Sequence, residues 1–297
     1  MAVILVTGAN GQLGNELRNL SSHFYGYDFI FTDIDTLDIT DAVAVKDFIN
    51  TSNPNWVVNC AAYNHVDKAE SEPEAAMLIN SVAVKNIAEA LNGSDCRFIH
   101  VSTDYVYGGA TNVPCTEDIT PDPQCEYAKS KLDGERQALL YGWSIVIRTS
   151  WLYSSYGHNF VKTILKHGAE KEFIKVVFDQ TGTPTYAADL AQAIMKIISG
   201  VIRNQFAFKA GIYNYSNEGV CSWFDFATEI INEAGLKCKV LPVTSKEFIQ
   251  AAKRPSYSVM DKTRIKEDFD IIIPHWRTSL IECMNNILNY LEEIDIG

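Results

Sequence analysis

A short run of apolar, mostly β-branched residues, Val3-Ile4-Leu5-Val6-Thr7, leads directly into Gly8-Ala9-Asn10-Gly11-Gln12-Leu13-Gly14. This junction narrows the possible folds more than any other part of the chain. A run that is apolar at every position suits a parallel strand covered on both faces. Gly8 permits a tight turn with positive φ, and Gly11 removes a side chain where a pyrophosphate must approach the backbone. Gly14 lets the following helix pack close to the sheet. The helix N-terminus then offers free N–H groups and partial positive charge to a phosphate. With 17 glycines in 297 residues, this spacing arises by chance roughly 0.06 times per chain. It reads as a nucleotide-cofactor turn.

Similar runs recur at Phe29-Ile30-Phe31, Trp56-Val57-Val58, Phe98-Ile99-His100-Val101 and Ser144-Ile145-Val146-Ile147. Helical patterns lie between them: Leu13, Leu17 and Leu20 form one stripe, and Ala42, Val45, Phe48 and Ile49 another. Ser71-Glu72-Pro73-Glu74 reads as a capping box opening a long helix to Leu91, closed by Gly93. Such alternation predicts an α/β chain, a doubly wound parallel sheet with helices on both faces. Past about residue 150 the pattern becomes less regular, predicting a smaller, partly interleaved substrate region. Within it, Asp225 to Ala234 reads as a packing helix through Phe226, Ile230 and Ile231.

Composition excludes several function classes. Lys plus Arg is 25 against 37 Asp plus Glu, a net charge of −12 with no basic run, which disfavours nucleic acid and anionic membranes as partners. No secretory pattern and no stretch of membrane-spanning length is present. The seven cysteines, an odd number without a C-x-x-C pair, predict reduced thiols in a cytoplasmic protein. No zinc-ligand spacing is found among six histidines, so the metal expectation from the residues is none. His65 and His100 read as structural.

Tyr127 and Lys131 are four apart, one helical turn on one face. A lysine ammonium beside a phenol is expected to lower the phenol pKa and make it a general acid near neutrality. Alone the Y-x-x-x-K pattern is weak, with roughly 0.8 chance matches. Its context is a nucleotide turn and a strand ending Ser102-Thr103-Asp104. At the crevice of a doubly wound sheet, Thr103 and Tyr127 are expected to meet at one carbonyl. Asp33, closing the second strand, is expected to accept from the adenosine ribose and favour NAD over NADP. Trp151, at a strand's C-terminal end, is expected in the substrate pocket. Arg254, before Pro255, is expected to hold a diphosphate.

These residues together resemble the extended short-chain dehydrogenase/reductases. The resemblance tightens to the dTDP-4-dehydrorhamnose reductases through Leu37-Asp38-Ile39-Thr40-Asp41, Val57-Val58-Asn59-Cys60-Ala61-Ala62-Tyr63 and Val66-Asp67-Lys68-Ala69-Glu70. Further along, Ser102-Thr103-Asp104-Tyr105-Val106-Tyr107, Arg148-Thr149-Ser150-Trp151, Asp179-Gln180-Thr181-Gly182-Thr183-Pro184-Thr185, Arg254-Pro255 and Trp276-Arg277 extend it across nearly the whole chain. Ala128, and Asn64-His65 near the sugar, depart from the family's commoner residues.

The resemblance implies a Rossmann-type domain over 1–150 and a mainly substrate-binding region over 151–297. It implies reduction of the C4 ketone of dTDP-4-dehydro-L-rhamnose by NADPH or NADH, giving dTDP-L-rhamnose. Tyr127 would protonate the carbonyl oxygen, Thr103 would tune that transfer, and Lys131 would hold the nicotinamide ribose. The cofactor set comprises Gly8, Asn10, Gly11, Gln12 and Leu13 at the turn, and Asp33, Asp38 and Ile39 on the adenine side. Ala61, Ala62, Tyr63, Asn64 and Val101, together with Tyr127 and Lys131, lie on the nicotinamide side. Thr103, Asp104, Tyr105, Trp151 and Arg254 are the substrate set, facing a dTDP-linked 4-keto-6-deoxy sugar. Some members of the family are magnesium-dependent homodimers, and Glu16 falls at one position suited to Mg2+. Two other readings stay open from the residues: a related nucleotide-sugar reductase or epimerase, and a non-catalytic regulatory chain resembling that of methionine adenosyltransferase.

Overall fold

The computed structural model describes residues 2–109 and 111–295, with side chains through Leu288. Strands β1 (Ala2–Thr7), β2 (Tyr27–Thr32), β3 (Trp56–Asn59), β4 (Arg97–Thr103) and β5 (Ser144–Thr149) join Gly211–Tyr215 in a six-stranded sheet. From one edge to the other the order is Gly211–Tyr215, β5, β4, β3, β1, β2, and every pairing is parallel.

The apolar runs become these strands because both faces are covered. Ile4, Val6, Trp56, Val58, Ile99, Ile145 and Ile147 face one layer, built on Leu13 and Leu17 of α1 (Gln12–Ser21) and on the helix Ala187–Ile202. The intervening residues Leu5, Val57, Phe98 and Val146 face the other layer, with Val45 and Ile49 of α2 (Ala42–Ser52) and Val84, Ile87 and Ala138. This is the two-residue alternation of a strand, here apolar on both sides. β1 lies between β2 and β3, so successive crossovers run in opposite directions from it, and a crevice opens at the C-terminal ends of β1 and β3.

The region from Ser71 to Leu91 differs from the sequence reading. Ser71 Oγ bonds back to the Lys68 carbonyl, closing the short helix Val66–Ala69. The next helix, Pro73–Met77, is capped at Glu72 without a side-chain bond, because Pro73 already fills its first turn. Residues Leu78–Val82 then form a π-helical turn before Ala83–Ala90. Asn80 explains the distortion. Buried within that turn, it accepts from the Tyr63 N–H at 2.8 Å and donates to the Tyr63 carbonyl at 3.1 Å and to Ser130 Oγ at 3.0 Å. Its own carbonyl oxygen would lie 2.0 Å from a Cβ at position 134, where the chain has glycine. The π-turn thus clamps the segment after β3 to the helix Glu126–Leu140.

Elements from the second half return to the central sheet: the Gly211–Tyr215 strand pairs with β5, and Ile265 and Phe269 join the core beneath it. A separate core gathers Tyr153, Ile164, Tyr186, Phe226, Ile230, Trp276 and Leu280 around three short two-stranded sheets. The helix expected from Asp225 begins earlier, at Trp223, with Ser222 and Asp225 forming a reciprocal capping box. All seven cysteines are free thiols. Among the described residues no helix is long and apolar enough to cross a membrane.

Candidate active site

The C-terminal ends of β1, β3, β4 and β5 converge on a cavity of about 230 Å³. The glycine turn forms its floor. Gly8 has φ +68°, and a Cβ there would sit 2.5 Å from the Ala61 nitrogen, so the ends of β1 and β3 lie back to back. Gly14 is packed against the backbone of Ala9 and Gly8. At Gly11, by contrast, a Cβ would meet only the Gly8 oxygen, at 3.2 Å. That open cradle at the start of α1 fits a pyrophosphate.

β4 and the helix Glu126–Leu140 carry the reactive groups. Thr103 ends β4 and accepts from the Tyr105 N–H, starting the single 3₁₀ turn Asp104–Tyr107. Tyr127 stands in the first turn of the facing helix, edge-on to the Tyr105 ring with centroids 5.7 Å apart. One turn later Lys131 Nζ donates to the Val101 carbonyl at 2.6 Å.

Burial governs the protonation states. It drives the Tyr127 phenol well above its ordinary value, and the Thr103 hydroxyl pulls only partly against it. Lys131 is pushed down to about 8 by burial, opposed by the Glu135 carboxylate and the Cys60 thiol. The expectation that Lys131 lowers the Tyr127 pKa is therefore corrected: desolvation sets this phenol, and the ammonium is directed at a backbone carbonyl. Burial lifts Asp104 to about 7, with the Ser258 and Thr103 hydroxyls opposing the shift.

The cavity brings together Gly8, Gly11, Gln12, Leu13, Ala62, Asn64, Val101, Thr103, Asp104, Tyr105, Tyr127, Lys131 and Trp151. The remaining predicted residues lie around it rather than in its lining. Asn10 donates its N–H to Asp33 Oδ2 at 2.8 Å, so Asp33 ties the turn to the end of β2. Asp38 is engaged by Thr40, and the Ile39 carbonyl by Asn86. Ala61 backs onto Gly8, and Tyr63 donates to Glu72 at 3.0 Å. Arg254 makes a forked pair with Asp67, at 2.7 and 3.0 Å. Glu16 is buried and accepts from Ser154 at 2.6 Å. Among the described residues no three Asp, Glu, His or Cys side chains gather to hold a metal.

Sequence reasoning missed Trp223 and the carboxylate–guanidinium pair behind the site. Trp223 reaches the cavity from its helix and stacks on Trp151. Trp151 takes φ +46°, and its ring lies where a Cβ at Gly182 would fall, at 2.8 Å, so that glycine makes room for the indole. The capping pattern Ser222-x-x-Asp225 marks where that helix starts. Glu135 and Arg148 form a bidentate pair, each side chain 1% exposed. Ser102 also donates to Glu135 at 2.6 Å, locking the Lys131 helix to β4 and β5.

The model of the family described as RmlD substrate binding domain matches residues 1–289. The chain is 41% identical to a spore coat polysaccharide biosynthesis protein of Bacillus subtilis, over 95% of this chain and 96% of that one. It is 39% identical to the dTDP-4-dehydrorhamnose reductase of Aggregatibacter actinomycetemcomitans, over 98% and 100%. The crystal structure of a Bacillus anthracis dTDP-4-dehydrorhamnose reductase in complex with NADP superposes with a TM-score of 0.90 at 38% identity, covering 96% of this chain and 100% of that one.

Proposed function

The chain belongs to the dTDP-4-dehydrorhamnose reductase family, and from that membership and the cavity's geometry we propose that it reduces dTDP-4-dehydro-L-rhamnose to dTDP-L-rhamnose. The observation that carries the reading is the convergence of Thr103, Tyr127 and Lys131 on the cavity that the glycine turn floors. In this reading the open Gly11 cradle and the start of α1 hold the pyrophosphate of NADH or NADPH, which when bound supplies the hydride. Asp38 and Ile39 lie on the adenine side, and Ala62 to Asn64 below the nicotinamide.

The protein's own groups then handle the proton. Tyr127, kept as a neutral phenol by burial, donates to the ketone oxygen as charge develops on it. Thr103 hydrogen-bonds the same oxygen and orients it. Lys131 exchanges the Val101 carbonyl for the ribose hydroxyls. The stacked Trp151–Trp223 pair forms one wall for the sugar, and Arg254, already ordered by Asp67, supplies a cation for the diphosphate. The reading includes a homodimer in the cytoplasm, a reducing compartment in keeping with seven free thiols.

The test is loss of reduced-nicotinamide absorbance with freshly generated dTDP-4-keto-6-deoxy sugar, using NADH and NADPH in parallel, with and without magnesium. Oxidation that yields dTDP-rhamnose and is nearly abolished in Tyr127→Phe with cofactor binding retained is the expected result. Near-normal turnover of Tyr127→Phe would refute the role of Tyr127. An inert wild-type protein that still binds the cofactor would refute the substrate. Sedimentation at working concentration reads the dimer.

A further inference from the structure

The segment between Tyr153 and the helix Phe160–Glu170 is tied twice to one face of α1. Ser154 donates to Glu16 Oε1 at 2.6 Å, and Asn159 Nδ2 donates to Gln12 Oε1 at 3.0 Å. Gln12 and Glu16 are four apart, one helical turn. Between the two ties Gly157 packs on Gln12, where a Cβ would stand 3.1 Å from Gln12 Cγ. Asn159 is 7% exposed, and its neighbours fix which way its amide points. Oδ1 accepts from the Lys162 N–H at 3.1 Å, capping the helix that follows. Nδ2 faces the Ser154 carbonyl at 2.7 Å and the Tyr156 carbonyl at 3.4 Å, and carbonyls can only accept. Gln12 must therefore turn its oxygen toward Asn159. That leaves its two amide N–H donors for the cavity, which Gln12 lines beside Gly11.

We infer that Asn159 is a positioning residue for the cofactor: it holds the Gln12 amide so that its N–H donors, and not its carbonyl oxygen, meet the pyrophosphate. The inference rests on the cofactor reading of the glycine turn and deepens it. A pyrophosphate needs donors, and the free N–H groups in the first turn of α1 supply some of them from the backbone. A glutamine side chain at the same place is ambivalent, because one end of its amide attracts an anion and the other repels it. Nothing in Gln12 itself chooses between the two. Asn159 makes the choice, and three backbone groups, the Lys162 N–H and the carbonyls of Ser154 and Tyr156, hold Asn159 in turn. The polarity of the cradle is thus set by a segment that follows the last strand of the nucleotide-binding half, and the same segment begins beside Trp151 at the sugar wall.

Asn159→Asp tests the polarity. Aspartate caps a helix as well as asparagine does, but its carboxylate has no donor and demands one from Gln12, which turns the Gln12 oxygen toward the pyrophosphate. Fluorescence titration with NADPH, or with NADH if the wild type prefers it, reads the effect without turnover. The dissociation constant should rise roughly 10- to 100-fold, the scale of a hydrogen bond to a charged group. ADP-ribose, which keeps the pyrophosphate and lacks the nicotinamide, should weaken equally. Gln12→Met should also bind the cofactor about tenfold more weakly, and in that background Asn159→Asp should add less than about twofold. With the cofactor saturating, kcat of Asn159→Asp should stay within about twofold of wild type, the loss falling on KM. Asn159→Ser keeps the cap and frees the Gln12 amide to turn either way, so it should cost about threefold beside Gln12 and nothing beside Gln12→Met. That pair carries the test if Asn159→Asp does not fold, and equal effects in the two backgrounds overturn the inference. Cofactor affinity within about twofold of wild type in Asn159→Asp, or a loss that persists in full beside Gln12→Met, overturns it and leaves the cofactor reading standing. A wild-type protein that binds neither NADPH nor NADH overturns both.

Discussion

Trp151 and Trp223 stack with ring centroids 3.7 Å apart and planes 10° from parallel. One indole comes from the end of the Rossmann-like sheet and the other from the first turn of a helix in the second half of the chain. The pair is the wall at which the two halves share the cavity, and it supplies a flat apolar face suited to a sugar ring. Aromatic contacts of this kind contribute about 0.5–1.5 kcal/mol beyond their buried area. Trp223→Leu should therefore raise KM for the sugar nucleotide roughly 2- to 13-fold, at about 1.4 kcal/mol per tenfold. The dissociation constant for NADPH, measured by fluorescence titration, should not change.

The glycines of the first turn divide into two kinds. A Cβ at Gly14 would stand 2.5 Å from backbone atoms of Ala9 and Gly8, so Gly14→Ala has to push α1 off the sheet. That overpacking should cost about 1–3 kcal/mol in urea unfolding. Gly11 has ordinary extended geometry, φ −74° and ψ 178°, and only the Gly8 oxygen nearby. Gly11→Ala should leave the urea midpoint close to wild type and weaken cofactor binding by about tenfold or more, because the added methyl occupies the phosphate cradle. Equal loss of stability in both variants would show that Gly11 is a folding requirement instead.

Behind the cavity, Glu135 and Arg148 are a fully buried pair whose partners also include Ser102 and the Tyr107 ring, 4.8 Å from the guanidinium carbon. Removing one member strands the other charge in the interior. Glu135→Leu should destabilise the protein by about 3–5 kcal/mol, and adding Arg148→Met should recover much of that loss. A double variant no more stable than the single one would show that the guanidinium is needed for its contact with Tyr107 rather than for the pair.

Local chemistry explains which features were legible before the structure. Each apolar run became a strand because its period is set by neighbours in sequence, and the glycine turn encodes its own backbone. The Thr103, Tyr127 and Lys131 set was legible because one strand end and one helical face each carry a short pattern. What was missed depends on distant partners. Ser71 and Glu74 carry a capping pattern, yet Pro73 and the Asn80 clamp on Tyr63 decide how that segment folds. Nothing near Glu135 announces Arg148 across the sheet. Nothing near Arg254 announces Asp67, which engages its fork from far away in the sequence. The expected Lys131–Tyr127 coupling rested on charge alone, whereas burial, which the spacing does not reveal, raises the Tyr127 phenol.

Asp104 gives the fold a pH dependence whose sign follows from burial. Its carboxyl sits near 4 in the unfolded chain and is raised to about 7 in the folded one. A raised native value means that the folded protein holds the proton more tightly. The stabilising contribution is complete below about pH 4 and is lost progressively as pH rises through about 7. Asn cannot titrate, so the difference in Tm between wild type and Asp104→Asn isolates this group from the other acids. Wild type should lose stability relative to the variant between about pH 4 and pH 7, with little further change above pH 8. Each tenfold difference in proton affinity between the folded and unfolded chain corresponds to about 1.4 kcal/mol, so the relative loss should reach a few kcal/mol at most. A difference in Tm that is flat across this range would mean that the carboxyl is ionised in the folded protein.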